Sequence, residues 1–182
     1  MRQEKLLKGA LAYFATPLLL MIVSETHSIE AKSFVHHSRY GLEISLSRQW
    51  HLVDEEKKQT IPAMRDKPGE YFLRTDPIVP NEQQVFGILK VSGQIPASVE
   101  ARCQALRNAG KSPNKIESCG SFRFPGKVGI YMVQDADDVK FKSYALQLNP
   151  NTMIHFVFSS RTESFSDACQ EIEDALRRLT YR

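Results

Sequence analysis

Three cysteines are the side chains of this sequence best suited to covalent chemistry. Cys103, Cys119 and Cys169 all fall in its C-terminal half. There is no C-x-x-C, so a thioredoxin-like redox centre is not expected. A bond from Cys103 to Cys119 would tie a helix to the strand after it and stabilise the fold by about 3 kcal/mol, mainly by restricting the unfolded chain. Cys169 lies on an apolar helical stripe and reads as a buried thiol. Spacing does not fix connectivity, so pairings through Cys169 stay open.

The other reactive side chains form no catalytic motif. His36, His37, His51 and His155 are available, but no local pattern sets any of them beside a cysteine. His36 and His37 are neighbours on a strand-like run. They should point to opposite faces and make a poor chelating pair. His155 alternates with Met153 and Val157, which suits packing against a sheet. Asp135, Asp137 and Asp138 lack the central glycine and closing glutamate of a calcium loop and read as a hairpin turn. The phosphate motifs G-x-G-x-x-G and G-x-x-x-x-G-K are absent, as is the hydrolase elbow G-x-S-x-G. No catalytic residue, metal site or cofactor is therefore expected.

Charge narrows the classes further. The formal net charge is +3, and many basic residues have acidic ones close by. Lys57-Lys58 follow Glu55-Glu56, and Lys140 and Lys142 follow Asp135 to Asp138. A nucleic-acid surface would show a one-signed patch, so that class is excluded.

The N-terminus has the order of an export signal. Arg2, Lys5 and Lys8 precede the apolar run Gly9 to Val23, and small or polar residues follow to Ser28. The run falls short of the ~20 residues that span a bilayer as a helix. Residues 1–28 are expected to be a cleaved signal peptide, with an uncleaved anchor as the alternative and the one route to a membrane. The expected location is the bacterial periplasm or outside the cell.

The elements that must position these residues follow from periodicity. Met153 to Phe158 alternates as a strand, ending at a Ser159-Ser160 turn. The period then becomes helical through Phe165, Cys169, Ile172, Leu176 and Leu179. Ser160 and Glu163 fit a capping box, with Ser164 a rival cap. Arg177, Arg178 and Arg182 are placed at the far end of this helix, where they suit its dipole. Upstream, residues 29–40 read as a lead-in or edge strand, and Leu42 to Leu46 as a strand with one wet face. Trp50 follows as a core plug or a ligand platform. Residues 54–64 read as a short helix or loop, and Tyr71 to Leu73 as a short strand. Val85 to Val91 reads as a central strand covered on both faces. A helix with Val99, Cys103 and Leu106 on its stripe runs to a cap at Gly110. Strands follow within Ile116 to Phe124, through Val128, Ile130 and Met132, and from Val139 onward. Val139 and Phe141 are out of phase with Tyr144, Leu146 and Leu148, so a bulge is expected near Ser143. Short turns between the last four strands favour a meander. The expected fold is α+β, a mostly antiparallel central sheet flanked by helices.

The stretch Tyr40-Gly41-Leu42-Glu43-Ile44-Ser45-Leu46-Ser47-Arg48-Gln49-Trp50 resembles the opening strand and tryptophan of the PsbP-like superfamily. Met153 to Leu179 is similar to that superfamily's closing strand, turn and helix. The resemblance covers about residues 34–182 as one domain and implies an α-β-α sandwich. It also implies a binding or accessory role, with no catalytic residue to carry over. The leading expectation is an exported, non-catalytic accessory or protein-binding module of the bacterial cell envelope, with a protein partner there. A carrier of a small apolar ligand comes next, then an envelope hydrolase. Trp50, Tyr71, Phe72 and Phe86, with the polar segment 54–82, are the expected binding surface.

Overall fold

The structure, a computed structural model, describes residues 33–61, 64–74, 83–95, 98, 101, 103–104 and 115–182. The export-type segment and most of the expected helix around Val99, Leu106 and Gly110 lie outside the described residues. Ala101, Cys103 and Gln104 have helical backbone, in keeping with that helix.

Among the described residues, alternating sequence produces ten strands. They are β1 (Ser33–Ser38), β2 (Leu42–Ser47), β3 (Trp50–Leu52), β4 (Glu70–Arg74), β5 (Val85–Ser92), β6 (Lys115–Phe124), β7 (Lys127–Ala136), β8 (Val139–Asn149), β9 (Thr152–Arg161) and β10 (Thr180–Tyr181). Two helices lie wholly within the described residues: α1 (Glu55–Thr60) and α2 (Phe165–Arg177). Seven strands form one sheet in the order β3-β4-β5-β9-β8-β7-β6, with every pair antiparallel. β6 to β9 are the expected meander. β5 docks on β9, the last strand of the meander, so β9 is central. A three-stranded sheet, β1-β2-β10, lies apart from it in hydrogen bonding.

One face of the large sheet, here the front, carries the main core. Phe72, Phe86, Ile88, Phe122, Phe124, Tyr144, Leu146, Ile154, Phe156 and Phe158 are buried there. Leu42, Ile44 and Leu46 of β2 and the apolar stripe of α2 close over them. That stripe is Ala168, Cys169, Ile172, Ala175 and Leu176, the spacing that the 3.6-residue period dictates, and Leu179 continues it just past the helix end. The back face is split. Over β4 and β5 it holds a minor core of Val53, Met64 and Tyr71 with Ile61, Leu73, Val85 and Leu89 around it. α1 is started there by Asp54, whose carboxylate accepts from the Lys57 amide at 2.7 Å.

Two strand glycines are fixed by close approach. Tyr71 lies across the ladder from Gly87 and Tyr131 across from Gly120. A Cβ on either glycine would come within 2.9 Å of the facing ring. Each tyrosine covers the gap left by its glycine, which restores packing that a bare glycine forfeits.

Four local expectations need correction. β9 runs through Ser159 and Ser160 to Arg161, because its whole length has ladder partners in β8. Ser160 therefore makes no capping box. Ser164 is the cap residue, and its hydroxyl meets that of Ser160 at 2.9 Å. β8 pairs with β7 without a break across Ser143, and its one irregularity is between Gln147 and Asn149. Arg182 does not serve the helix dipole. The chain leaves α2 to form β10, and Arg182 Nε bonds Glu43 Oε1 at 2.5 Å, fastening the chain end to β2.

Candidate functional site

The expected binding surface is inside the protein. Trp50, Phe72 and Phe86 are at most 1% exposed and Tyr71 is 6% exposed. Tyr71 and Phe72 are adjacent on β4 and so enter opposite faces: Phe72 joins the main core and Tyr71 the minor one. Trp50 packs edge-on to Phe86 and Phe158, each with ring centroids at 6.3 Å. Its indole N–H donates to Glu171 at 2.9 Å. An open groove lined by Phe34, Arg48, His51 and Leu52 passes Trp50, but the ring is sealed. The first part of the polar segment 54–82 is likewise built into the fold as α1 and β4.

The cysteines meet as expected. Cys103 and Cys119 form a disulfide, and Cys169 is a buried free thiol. Ladder pairing explains the choice. Cys119 faces Met132 and alternates with the core-facing Phe122 and Phe124 of β6, so it points to the back. Cys169 lies in the front core beneath α2. Burial pushes its thiol pKa up, which suppresses the thiolate that exchange requires.

Besides the exposed group of His37, Glu43 and Arg182, the described titratable side chains gather in three half-buried clusters, and each fastens separate elements. In the first, Ser38 and the Arg39 amide donate to Glu70, and His36 Nε2 lies 3.4 Å from the same carboxylate. This joins β1 to β4, and therefore the small sheet to the large one. His37 points the other way, to Glu43 and Arg182, as strand alternation requires. The second cluster is Arg74, which bridges Glu171 at 3.3 Å, Gln49 at 2.5 Å and Gln84 at 3.3 Å. In the third, Glu173 of α2 accepts from Lys142 at 2.5 Å, Tyr144 at 3.1 Å and Arg177 at 2.7 Å. The expected hairpin turn is Asp137-Asp138, with Asp137 at φ 53°, while Asp135 is still in the ladder opposite Lys140. Among the described residues no group of three or more metal-ligating side chains comes together.

Glu173 gives this arrangement a pH signature. Burial alone would raise its pKa, but the bond to Lys142 and the charges of Lys142 and Arg177 outweigh that, and the net shift is downward from the ordinary 4.5. Glu70 shifts the same way, against its own burial, through His36, Ser38 and the Arg39 amide. A depressed carboxylate adds stability above its unfolded pKa, and that stability is lost as pH falls through the folded value. Urea midpoints should therefore hold from about pH 7 to about pH 5 and drop below that. Glu173→Gln should be less stable than wild type at neutral pH, with the gap closing as acid is added. A gap that stays constant with pH would contradict this account.

The back face over β7 to β9 holds an enclosed concavity. β8 presents only Ser143 and Ala145 there, between Ile130 and Met132 on β7 and Met153 and His155 on β9. Small residues flanked by large ones make a trough along β8, and the enclosed part has room for about 80 Å³. Gln94 and Ile95 close one end. Gln147 straps them down: its Oε1 accepts from the Ile95 amide at 2.6 Å, and its Nε2 donates to Gly93 O at 3.2 Å and Thr152 O at 3.1 Å. At the other end Met132 neighbours Cys119, so the disulfide anchors Cys103 beside the trough. Gln147→Ala would leave the Ile95 amide without that acceptor. It should cost about 1–3 kcal/mol in urea unfolding and speed amide exchange at Gly93 and Ile95 relative to the core strands. Unchanged exchange there would refute the strap.

The architecture is that of PsbP-like proteins, and solved structures bear it out. Cyanobacterial PsbP (CyanoP) from Synechocystis sp. PCC 6803 superimposes with a TM-score of 0.52 at 13% identity, over 84% of this chain and 94% of that one. LpqN of Mycobacterium tuberculosis, described as involved in cell envelope biogenesis, gives 0.51 at 11% identity over 82% and 90%. PA94 of Pseudomonas aeruginosa, a protein of unknown function and putative regulator, gives 0.52 at 11% identity over 82% and 97%. No protein-family model matches the chain, and no curated protein matches it in sequence. The chain thus has the PsbP-like fold, as its opening and closing stretches suggested.

Proposed function

We propose that this protein is an exported, non-catalytic accessory or binding module of the bacterial cell envelope. The observation that carries this reading is that the three half-buried clusters of titratable side chains each bridge separate elements of the fold. Each holds the shell together and leaves its carboxylate engaged. Such a rigid frame suits presenting a surface or a cleft to a partner. The compartment rests on the export-type N-terminus and on the Cys103–Cys119 disulfide, a bond that persists in oxidising surroundings. The fold shared with LpqN, a protein involved in cell envelope biogenesis, fits the same setting.

The test is affinity capture of the full chain from its own envelope extract, followed by rebuilding the complex from purified components. A stoichiometric complex that re-forms would support the module. Turnover of an envelope substrate by the purified chain would overturn it. The small-ligand carrier is kept as a second reading because of one observation, the enclosed trough over Ser143 and Ala145. A co-purifying small molecule without any protein would favour it.

A further inference from the structure

We propose that the back-face trough binds a neutral hydrocarbon segment, the end of an alkyl chain carried by a small envelope molecule. The inference rests on the reading of this chain as a binding protein, and it names the ligand class of this enclosed site.

Three features of the lining select that ligand. The first is polarity. Ile95, Ile130, Met132, Ala145 and Met153 supply most of the wall, and no Asp, Glu, Lys or Arg lines it among the described residues. A charged group placed there would lose its hydration and meet only Gln94, Ser143 and His155 as polar side chains, whereas a mainly apolar concavity favours apolar occupants. The second is shape. The floor is two successive same-face positions of one strand, Ser143 and Ala145, about 7 Å apart. The walls are the side chains of the two flanking strands, each about 4.8 Å from β8. A slot that is long along a strand and narrow across it fits an extended chain better than a flat ring. The third is adaptability. Met132, level with Ser143, and Met153, level with Gln147, stand at opposite ends of the slot, and their unbranched thioethers repack around a variable guest at low cost. The Gln147 strap matters here too, because it fixes the closed end at Gln94 and Ile95 and so gives the slot a defined depth.

Methionine methyl NMR on the full chain reads this out with an internal control. Five methionines are present: Met1, Met21, Met64, Met132 and Met153. Met132 and Met153 line the trough, while Met64 is buried in the minor core. The signals are assigned with Met132→Leu and Met153→Leu. Titration with 1-hexanol should shift the Met132 and Met153 methyls saturably and leave Met64 unmoved. Ala145→Leu, which fills the floor, should weaken binding about tenfold or more with the Met64 signal unchanged. Should Ala145→Leu fail to fold, Ser143→Ile serves the same purpose. Equal or unsaturable shifts at all three methyls would overturn the site. Full hexanol binding by the filled variants would do so as well, and tighter binding of benzyl alcohol than of hexanol would overturn the alkyl assignment. If the trough fails these tests while a protein complex still re-forms from purified components, this inference falls and the binding-module reading stands.

Discussion

Phe156→Ala should lower the unfolding free energy by about 3–5 kcal/mol, enough to remove a large part of the stability of a domain of this size. Phe156 is on β9, the strand to which both β5 and β8 are hydrogen-bonded. Its ring stacks on Phe86 of β5, with centroids at 6.4 Å and planes at 3°, and tilts against Phe124 of β6 at 5.7 Å. It is fully buried. Truncation would remove aromatic contacts and leave a cavity walled by strands that cannot move inward without breaking ladder bonds, so little of the cost can be recovered by relaxation. Phe156→Leu keeps more of the volume and should cost less than half as much. The measurement is urea unfolding followed by far-UV circular dichroism, with the slope compared between variants to confirm that only stability has changed. A loss below about 1.5 kcal/mol for the alanine variant would mean that the core tolerates volume change here, and that β9 is not the central member its ladder contacts make it.

The same strand shows why so much of the fold could be read from sequence. Ile154, Phe156 and Phe158 alternate with Met153, His155 and Val157, and the period changes cleanly to that of α2 after the strand ends. A buried face enforces such a pattern, because a slip of one residue would send every apolar side chain to the wrong side. β8 was harder for a physical reason. Val139 and Phe141 face the back and Tyr144 and Leu146 the front, so its apolar residues seem to change phase. A bulge would produce that pattern, but so would a strand with both faces covered whose back-face residues become small halfway along. The latter is what the ladder contains, and the small pair, Ser143 and Ala145, makes the floor of the trough. The candidate site was therefore present in the sequence as an apparent irregularity.

The binding aromatics were misplaced for a related reason. Tyr71-Phe72 reads as a surface pair only if one face of β4 is open. That face is closed by Val53 and Met64, from a stretch whose own periodicity is weak because α1 is a single short helix. Apart from the i,i+4 pair Glu173–Arg177, the three polar clusters left no local trace. Glu70 is 32 residues from Ser38, and Glu171 is 121 from Trp50, so no window of sequence contains both partners. Long-range polar contacts depend on the finished topology, and only the apolar alternation that builds the topology is written locally.

The disulfide should have the second large effect. Reduction, or Cys103→Ser with Cys119→Ser, should destabilise the protein by about 3 kcal/mol, the value for a closed loop of about 15 residues. The loop here is close to that, with a sequence separation of 16. Part of the effect lies in the unfolded chain, which gains freedom once the loop opens, so the urea slope should rise slightly as the denatured state expands. Cys169 sharpens the test. It is on the opposite face of the sheet and its thiol pKa is raised by burial, so it should neither react with alkylating agents in the native state nor rescue the lost bond by exchange. Oxidised protein should therefore take up label at Cys169 only on unfolding, and reduced native protein first at the half-buried Cys119. The serine double variant should unfold at the urea midpoint of the reduced wild type and be indifferent to reductant. A reductant effect that persists in the double variant would show that some other pairing involving Cys169 forms. An unchanged midpoint on reduction would mean that the bond adds nothing to the fold and that the helical segment at Cys103 is held by its packing on the sheet. Because the bond is anchored next to Met132, the same reduced protein bears on the trough as well. Loosening of Cys103 should broaden the Met132 methyl signal while leaving that of Met64 sharp, which links the oxidation state of the disulfide directly to the shape of the trough.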